Sequence, residues 1–404
     1  MNILFLSLID IPSIQARDIY SDILRELADR GHQIYCISPI ERRRKEPSKI
    51  VYHANTTILR IKTGNIQKTN IIEKGISTLL LSPQIIRSLK RYFNQVSFNL
   101  VLYPTPPITF EKVVRYIKKR DGAAAYLMLK DIFPQNSVDL GMIRKDSLIH
   151  RLFLRKEKRL YGGADYIGCM SAANVRYLLE HNPQIPPGKV EICPNSLAVK
   201  DQIIYDKHHL KKEYEIPEDT LIFLYGGNLG KPQDVGFICK CLELNMNFND
   251  RFFIICGDGT DYPQLERFVN KHTPQNVKLM RWLPKEKYDA LVACCDVGLI
   301  FLDHRFTIPN FPSRLLSYLE SAKPVLACTD NASDIGQVAV NGGFGWRCES
   351  SDAVNFTSLV EKTISLKSEL HYYGQAGRLY IEQHYTASKS ANIILRHFGS
   401  EGVD

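Results

Sequence analysis

The feature that most constrains this chain is a repeated alternation of short apolar runs with amphipathic helical segments. Residues 2–8 (NILFLSL) form an apolar run of strand length, residues 18–30 carry apolar side chains at helical spacing, and Gly31 precedes a second apolar run at 33–38. Parallel strands need a crossover, which is usually a helix, so this strand–helix–strand pattern predicts a parallel sheet covered by helices. We therefore assign the chain to the α/β class.

The same alternation restarts after a polar stretch that ends near residue 218. Five further apolar runs follow, at 221–227, 251–259, 277–283, 296–302 and 324–329. The pattern predicts two doubly wound, Rossmann-like domains with a boundary near 196–217. We expect residues 1–200, joined by a C-terminal helix at about 386–404, to form one domain and residues 205–385 the other. Sheets of this kind bind ligands at their carboxyl strand ends, so we expect the domains to face a central cleft.

Composition excludes several classes of protein. The chain has 404 residues, of which 44% are hydrophobic and 24% charged, which is typical of globular proteins. No apolar stretch reaches membrane-spanning length, and the N-terminal run lacks the basic start of a secretory signal. Ten cysteines without a CxxC pair indicate buried thiols in a reducing cytoplasm, with a metal or disulfide pair as the alternative. Eleven dispersed histidines predict no metal centre.

Charge is distributed unevenly. Residues 1–200 hold 31 Lys and Arg against 17 Asp and Glu, whereas the remainder holds 21 against 26. Three basic runs, at 42–45, 118–120 and 144–159, give the first half a field that attracts anionic lipid or nucleic acid. Segment 144–160 also contains Leu148, Ile149, Leu152, Phe153 and Leu160. It is either a core helix with a solvated face or a helix that lies at a membrane surface.

Two segments of the second half have the chemistry of an anion site. In FLYGGNLG, Gly226 and Gly227 end a predicted strand, with Asn228 and Lys231 next to them, so main-chain amides can approach an anion; a plain tight turn is the alternative. In the stretch 306–330, we expect Ser313 to cap a helix that has Arg314 in its first turn. A cation there opposes the helix dipole unless an anion lies nearby, although a solvated surface arginine has the same pattern.

A third candidate lies in the first half, where Asp131 in LKDIFP stands at the carboxyl end of a predicted strand. An aspartate at this position is a functional group, a helix cap or a turn residue.

Taken in order along nearly the whole chain, several motifs resemble those of the family 4 glycosyltransferases, which have the two-domain GT-B fold. The similar motifs are NILFLS with LADRGHQIYCIS, LKDIFPQNSVDLG, LYGGADYIGCMS, VEICPNSL, YGGNLG, GDGT and FPSRLLSYLESAKPVLA. Within the family, the chain is most similar to the bacterial enzymes that assemble capsule and O-antigen repeat units.

The resemblance implies a retaining glycosyltransferase at the inner face of the cell membrane. It would move a sugar, which we expect to be an N-acetylamino sugar, from a UDP-sugar to a polyprenyl-diphosphate-linked saccharide, without metal or other cofactor. The 1–200 domain would take the acceptor at the membrane surface, and the 205–385 domain the donor. Asp131, Lys231 and Arg314 would be catalytic. The donor-binding residues would be Gly226, Gly227, Asn228, Arg281, Trp282, Asn310, Phe311, Ser313, Ser317 and Glu320.

Two departures from the family pattern concern the donor. The family commonly has a pair of glutamates that hold donor sugar and ribose, and these fall on Pro309 and Ser317, with Glu320 one helical turn further on. The Gly-Gly after the first strand is replaced by residues 13–16.

Three alternatives to a transferase are a nucleotide-sugar epimerase, a non-catalytic sugar or nucleotide binding protein, and a nucleic-acid-binding protein. The last needs aromatic platforms among the basic runs, and Tyr92 and Tyr116 are too few, so we expect no nucleic-acid partner.

Overall fold

The computed structural model describes residues 1–66, 69 and 71–398. They divide into two compact units. Unit 1 contains Met1–Ala198 together with the C-terminal residues from Thr386, and unit 2 contains Val199–Tyr385. Each unit is built on its own sheet.

The sheet of unit 1 has eight strands in the order β3-β4-β2-β1-β5-β6-β7-β8. All neighbours are parallel except β3 and β4, which form an antiparallel pair at one edge. The strands are β1 (Asn2–Leu6), β2 (Gln33–Glu41), β3 (Lys49–His53), β4 (Thr56–Thr63), β5 (Leu100–Pro104), β6 (Ala124–Leu129), β7 (Tyr166–Cys169) and β8 (Val190–Ile192).

Seven helices belong to unit 1. They are α1 (Ser21–Asp29), α2 (Ile71–Tyr92), α3 (Glu111–Asp121), α4 (Gln135–Asp139), α5 (Leu148–Gly163), α6 (Ala172–His181) and, at the other end of the chain, α15 (Ala387–Leu395). Helix α15 packs on α1, so the C-terminal segment completes the core around Ile3, Phe5 and Leu24. The helix expected at 386–404 ends at Leu395, and residues 399–404 lie outside the described residues.

The sheet of unit 2 has six parallel strands in the order β11-β10-β9-β12-β13-β14. Its strands are β9 (Leu221–Asn228), β10 (Arg251–Asp258), β11 (Val277–Met280), β12 (Val297–Phe301), β13 (Val325–Thr329) and β14 (Gly345–Glu349). In chain order within the unit this arrangement is 3-2-1-4-5-6, the order of the dinucleotide-binding Rossmann sheet. The strands are apolar almost throughout because helices cover both faces of a parallel sheet.

Eight helices belong to unit 2: α7 (Lys207–Glu213), α8 (Val235–Asn245), α9 (Tyr262–His272), α10 (Lys285–Cys294), α11 (Arg314–Glu320), α12 (Ile335–Asn341), α13 (Ala353–Ser365) and α14 (Leu370–His384). Stacked and tilted aromatic rings fill the core between the sheet and α13, with Phe253 and Phe301 both packed against Phe356.

All ten cysteines are free thiols, and nine of them are buried. Over the described ranges, we find no helix with the length and hydropathy that crossing a bilayer requires.

Candidate functional site

The candidate site of unit 2 lies where the strand order reverses. Strand β9 is the first strand of the unit and stands between β10 and β12. The chain adds β10 and β11 on one side of β9 and then crosses to add β12, β13 and β14 on the other side. In open α/β sheets, ligands bind outside the carboxyl ends of the strands at this switch point. The carboxyl end of β9 holds the glycine pair, Gly226 and Gly227. The topology therefore places the predicted glycine turn at the expected ligand edge of the sheet.

Position 227, at the end of β9, requires a glycine because of its backbone conformation and because of its close neighbours. Its φ is 137°, which an L side chain rarely adopts, and a Cβ would lie 3.1 Å from Nη2 of Arg314. On the other side, a Cβ on Gly257 of β10 would lie 1.9 Å from the carbonyl oxygen of Gly227. Gly226 is buried against the Tyr288 hydroxyl. The strand ends are therefore packed too closely for side chains, and the Arg314 guanidinium lies directly beside them.

Arg314 begins α11, and its guanidinium lies over the ring of Tyr225, with 4.3 Å between the Cζ atom and the ring centre. Its Nη1 atom is buried and has no hydrogen-bond partner among the described residues. A buried cationic donor without a partner costs free energy, and an anion that accepts from it removes this cost. Sequence reasoning singled out Arg314 but missed Tyr225, because an aromatic residue inside an apolar strand has the pattern of a core residue.

The expectation that Ser313 caps α11 is wrong. Ser313 itself has helical backbone angles, and its side chain accepts no hydrogen bond from the first turn. The Leu316 backbone N–H instead donates to the Ser313 carbonyl. The Ser313 side chain is exposed, so its assignment to the donor stays a prediction.

The other residues predicted on this segment have mixed surroundings. The Phe311 ring is buried and packs edge-on against Tyr385, with 6.0 Å between ring centres. The Asn310 backbone N–H donates to Ser333 Oγ over 2.9 Å, which fixes the loop before α11. Ser317 lies one turn after Arg314 and is half-buried, while Glu320 Oε1 accepts a 3.0 Å hydrogen bond from the Lys200 amide. Their roles in holding ribose stay predictions.

Arg281 and Trp282 follow β11, which ends at Met280 rather than continuing to residue 283 as the apolar run suggested. Arg281 lies over the Tyr262 ring at 4.1 Å and forms ion pairs with Asp258 and Glu266 at 3.6 and 3.5 Å. The Trp282 side chain is 74% exposed. A large exposed indole is a surface on which a planar base can stack.

Asn228 and Lys231 lie just beyond the glycine pair. The Asn228 side chain donates to Gln233 Oε1 over 2.7 Å, and the Tyr225 hydroxyl donates to the Asn228 carbonyl over 2.6 Å. Lys231 opens the single turn Lys231–Gln233 and is exposed, and no ion pair of its ammonium group is found in the described part of the chain. Sequence reasoning missed Gln233, which holds the Asn228 side chain in place.

The structure also assembles one group that could hold a metal ion. Oxygen and nitrogen atoms of Asp234, which caps α8, and of Asp303 and His304, which follow β12, lie within 4.8 Å of one another. The sequence did not reveal this group, because Asp234 is distant in the chain from the other two. The Asp303 carboxylate is already engaged by Arg305 in a two-pronged ion pair, at 2.9 and 2.6 Å. Independence from metal stays a prediction.

In unit 1, Asp131 follows β6 at the carboxyl edge of the first sheet. The Thr105 hydroxyl fixes its backbone, because Oγ1 accepts from the amides of Lys130 and Asp131 and donates to the Asp131 carbonyl. Asp131 is exposed, yet the protein around its carboxyl group removes enough water to raise its pKa to about 6. Burial lowers the pKa of the adjacent Lys130 to about 8, and Lys130 Nζ has no hydrogen-bond partner within residues 1–66, 69 and 71–398. Lys130 is not among the residues that the sequence patterns indicate.

Residues 206–380 match the family model described as glycosyl transferases group 1. The chain is 23% identical over 321 residues to the probable glycosyltransferase WbjE of Pseudomonas aeruginosa, a match that covers 79% of this chain and 78% of the relative. It is 22% identical over 233 residues, 56% of each chain, to the putative colanic acid biosynthesis glycosyl transferase WcaI of Escherichia coli.

The fold is also similar to that of a solved GT-B structure. HepE of Anabaena in complex with UDP superposes with a TM-score of 0.70 at 13% sequence identity, over 98% of this chain and 99% of that one. The two Rossmann-like sheets and the family match in unit 2 agree with this similarity. Residues 206–380 therefore form a group 1 glycosyl transferase domain, and the chain is a glycosyltransferase with the GT-B fold.

Proposed function

We propose that this glycosyltransferase moves a sugar from a UDP-sugar to a polyprenyl-diphosphate-linked saccharide during the assembly of a surface polysaccharide. The proposed donor sugar is an N-acetylamino sugar, and the anomeric configuration of the donor is retained. The reaction takes place on the cytoplasmic face of the membrane. UDP-sugar is the co-substrate, and the reaction needs neither a metal ion nor another cofactor.

The buried Nη1 atom of Arg314 is the observation that carries the proposal. Its Nη1 atom is buried without a hydrogen-bond partner among the described residues, and its Nη2 side faces Gly227 at the ligand edge of the sheet. A diphosphate would supply the missing acceptor. Charge develops on that diphosphate as the glycosidic bond breaks, so a cation fixed beforehand stabilises the transition state more than the ground state. Lys231, exposed beyond the glycine turn, supplies a second positive charge.

The assignment of the nucleotide to UDP has two supports. The exposed indole of Trp282 offers a stacking surface, and Arg281 stands next to it. HepE, which has a similar fold, was solved in complex with UDP. In the proposed arrangement the uracil lies near Arg281 and Trp282, while Ser317 or Glu320 meets the ribose.

The acceptor half of the proposal rests on the family resemblance and on Asp131. The acceptor hydroxyl attacks the donor's anomeric carbon, the bond to the UDP oxygen breaks, and a phosphate oxygen of the leaving UDP takes the hydroxyl proton. No protein base is needed, so Asp131 positions acceptor or donor sugar instead. The name of WcaI, which refers to colanic acid biosynthesis, supports a polysaccharide product.

A panel of UDP-sugars tests the proposal directly. We expect UDP and one UDP-N-acetylamino sugar to raise the midpoint of thermal unfolding, because a ligand that binds only the folded state stabilises it by mass action. Mass spectrometry should then show transfer of that sugar to a short-chain polyprenyl-diphosphate saccharide. GDP- and CMP-sugars serve as controls. Protection by a GDP-sugar alone would contradict the UDP assignment. Hydrolysis of the UDP-sugar without transfer to the polyprenyl-diphosphate saccharide would contradict the proposed acceptor.

A further inference from the structure

The basic runs of unit 1 differ in whether acidic side chains neutralise them. In the run at 42–45, Arg42 pairs with Glu73 at 2.8 Å, Arg43 with Glu41, and Arg44 with Asp10 at 2.7 Å. In the run at 118–120, Lys118 pairs with Asp165 and Arg120 with Asp121. Five of the seven cations in these two runs are therefore paired, and among the described residues Lys45 and Lys119 are the two without an ion pair. The two runs contribute little free positive charge to the surface.

The third run, on α5 and the loop before it, is not neutralised. Among the described residues no ion pair involves any of its exposed cations, which are Arg144, Lys145, Arg151, Arg155, Lys158 and Arg159. The run contains two acids. Glu157 is buried and accepts a hydrogen bond from Tyr161, so Asp146 alone exposes a negative charge there.

The same helix exposes large apolar side chains. Leu148 is 84% exposed, Ile149 59% and Leu152 50%. The face of α5 that packs on the unit carries other residues, namely His150, Glu157, Leu160 and Tyr161. The sequence allowed a core helix with a solvated face, but the structure places the leucines of the first two turns on the solvated face, among the arginines.

A neighbouring helix adds further apolar surface. On α2, Ile76, Leu79 and Leu80 are each about half exposed. Both α2 and α5 pack against the short turn Ile108–Phe110, and Thr109 Oγ1 donates to the Thr78 carbonyl of α2 over 3.3 Å. The exposed apolar residues of the two helices thus belong to the same helical layer of unit 1.

We propose that this surface, made of the exposed residues of α5 with the loop 142–147 before it and of residues 76–80 of α2, docks on an anionic lipid bilayer. Apolar side chains interspersed with unpaired cations fit the boundary between acyl chains and acidic headgroups, since the leucines enter the former and the arginines meet the latter. This docking is separate from the transfer reaction, and its support is the charge and the exposure of these side chains. It gives the proposed lipid-linked acceptor a route to the enzyme.

Sedimentation of the full chain with vesicles tests the docking. We expect binding to phosphatidylcholine vesicles that contain about a quarter phosphatidylglycerol, little binding to pure phosphatidylcholine, and loss of binding above about 0.5 M salt, where charges are screened within a few ångströms. The R151E/R155E variant should bind the anionic vesicles at least about tenfold more weakly, because each cation near the surface contributes about 1 kcal/mol. The L148S/L152S variant should also lose binding.

Two control variants make the same kinds of substitution on helices of unit 2. R267E/K271E reverses two exposed cations at the same spacing on α9, and neither cation has an ion pair in the described chain. V354S/L379S removes two exposed apolar side chains of unit 2. Both should bind vesicles as the original chain does. UDP affinity, measured by calorimetry on every variant, should stay unchanged, which separates failure of docking from failure of the proposed function.

Four binding results would overturn the proposal. They are equal partitioning onto neutral vesicles, absence of binding at low salt, unchanged binding by R151E/R155E, and tighter binding of this surface to double-stranded DNA than to anionic vesicles. The last result would assign the surface to nucleic acid. A dimer in solution that dissociates in L148S/L152S would assign the apolar residues to a second copy of the chain and would overturn it as well.

Discussion

The guanidinium of Arg314 lies 4.3 Å from the centre of the Tyr225 ring. This contact joins the first turn of α11 to the ligand end of β9. Because the Tyr225 hydroxyl also donates to the Asn228 carbonyl, the same tyrosine fixes both the glycine turn and the arginine beside it. The cation is thus held in place before any anion arrives, which is the arrangement that electrostatic catalysis requires.

Replacement of Arg314 by alanine should weaken UDP binding by about 1.5 to 3 kcal/mol, the value of a hydrogen bond to a charged group. Calorimetry measures the change. Arg314→Lys should recover part of the affinity, because it keeps the charge but loses the forked donors. Arg267→Ala on α9 serves as the control, since that arginine is exposed and remote in the chain. Unchanged UDP affinity in Arg314→Ala would disprove the diphosphate assignment.

Replacement of Gly227 by alanine should lower both stability and UDP affinity. The positive φ of 137° costs an L residue about 1 to 3 kcal/mol, and the new Cβ presses on the Arg314 guanidinium. Gly343→Ala separates the two effects, because Gly343 also has a positive φ, of 68°, but open space around it. We expect Gly343→Ala to lose stability in chemical denaturation while UDP affinity stays normal. Equal UDP affinity in both variants would argue against Gly227 as part of the donor site.

Replacement of Trp282 by alanine should reduce UDP affinity by about 1 to 3 kcal/mol, the range for loss of a base-stacking aromatic ring. The free energy of unfolding should hardly change, because the side chain is 74% exposed. Trp282→Phe should retain most of the binding. Tyr372→Ala is a matched control, since that ring is 68% exposed in the same unit. If UDP binds Trp282→Ala normally, the uracil lies elsewhere.

Transfer and UDP binding should both survive EDTA, because Arg314 and Lys231 can neutralise the leaving diphosphate without a metal ion. The Asp234, Asp303 and His304 group makes this a sharp test. Turnover that is lost on chelation and restored by magnesium or manganese would contradict the prediction. If Asp303→Asn then abolished the rescue, the ion would be assigned to that group.

The Glu157 carboxyl should make stability depend on pH. Burial raises its pKa to about 7, although the Tyr161 hydrogen bond opposes the rise. The folded state then holds the proton more tightly than the unfolded state, so stability falls as pH rises from about 4.5 through 7, by at most about 3 kcal/mol. Urea denaturation from pH 5 to 8 should show a smaller fall for Glu157→Gln than for the original chain. The control Glu180→Gln changes an exposed glutamate on α6 and should leave the slope unchanged.

The sequence by itself determined the fold class and much of the donor-site composition. Continuous apolar runs separated by helical segments specify parallel strands covered on both faces, and this pattern depends only on local periodicity. The glycine turn at 226–227 and the arginine at 314 were also recognisable, since a strand-end glycine pair and a cation in a first helical turn are local anomalies that favour a bound anion.

Only the tertiary structure decided which neighbours these residues have. Tyr225 under Arg314 and the group of Asp234 with Asp303 depend on which strands, loops and helices meet at one edge of the sheet. The same holds for charge: the sequence shows basic runs at both 42–45 and 144–159, but folding pairs the three arginines of the first run with acids. Among the described residues, the exposed cations of the second run have no ion pair. Whether a side chain is buried or paired depends on residues that are distant from it in the chain. A local sequence pattern therefore does not predict it.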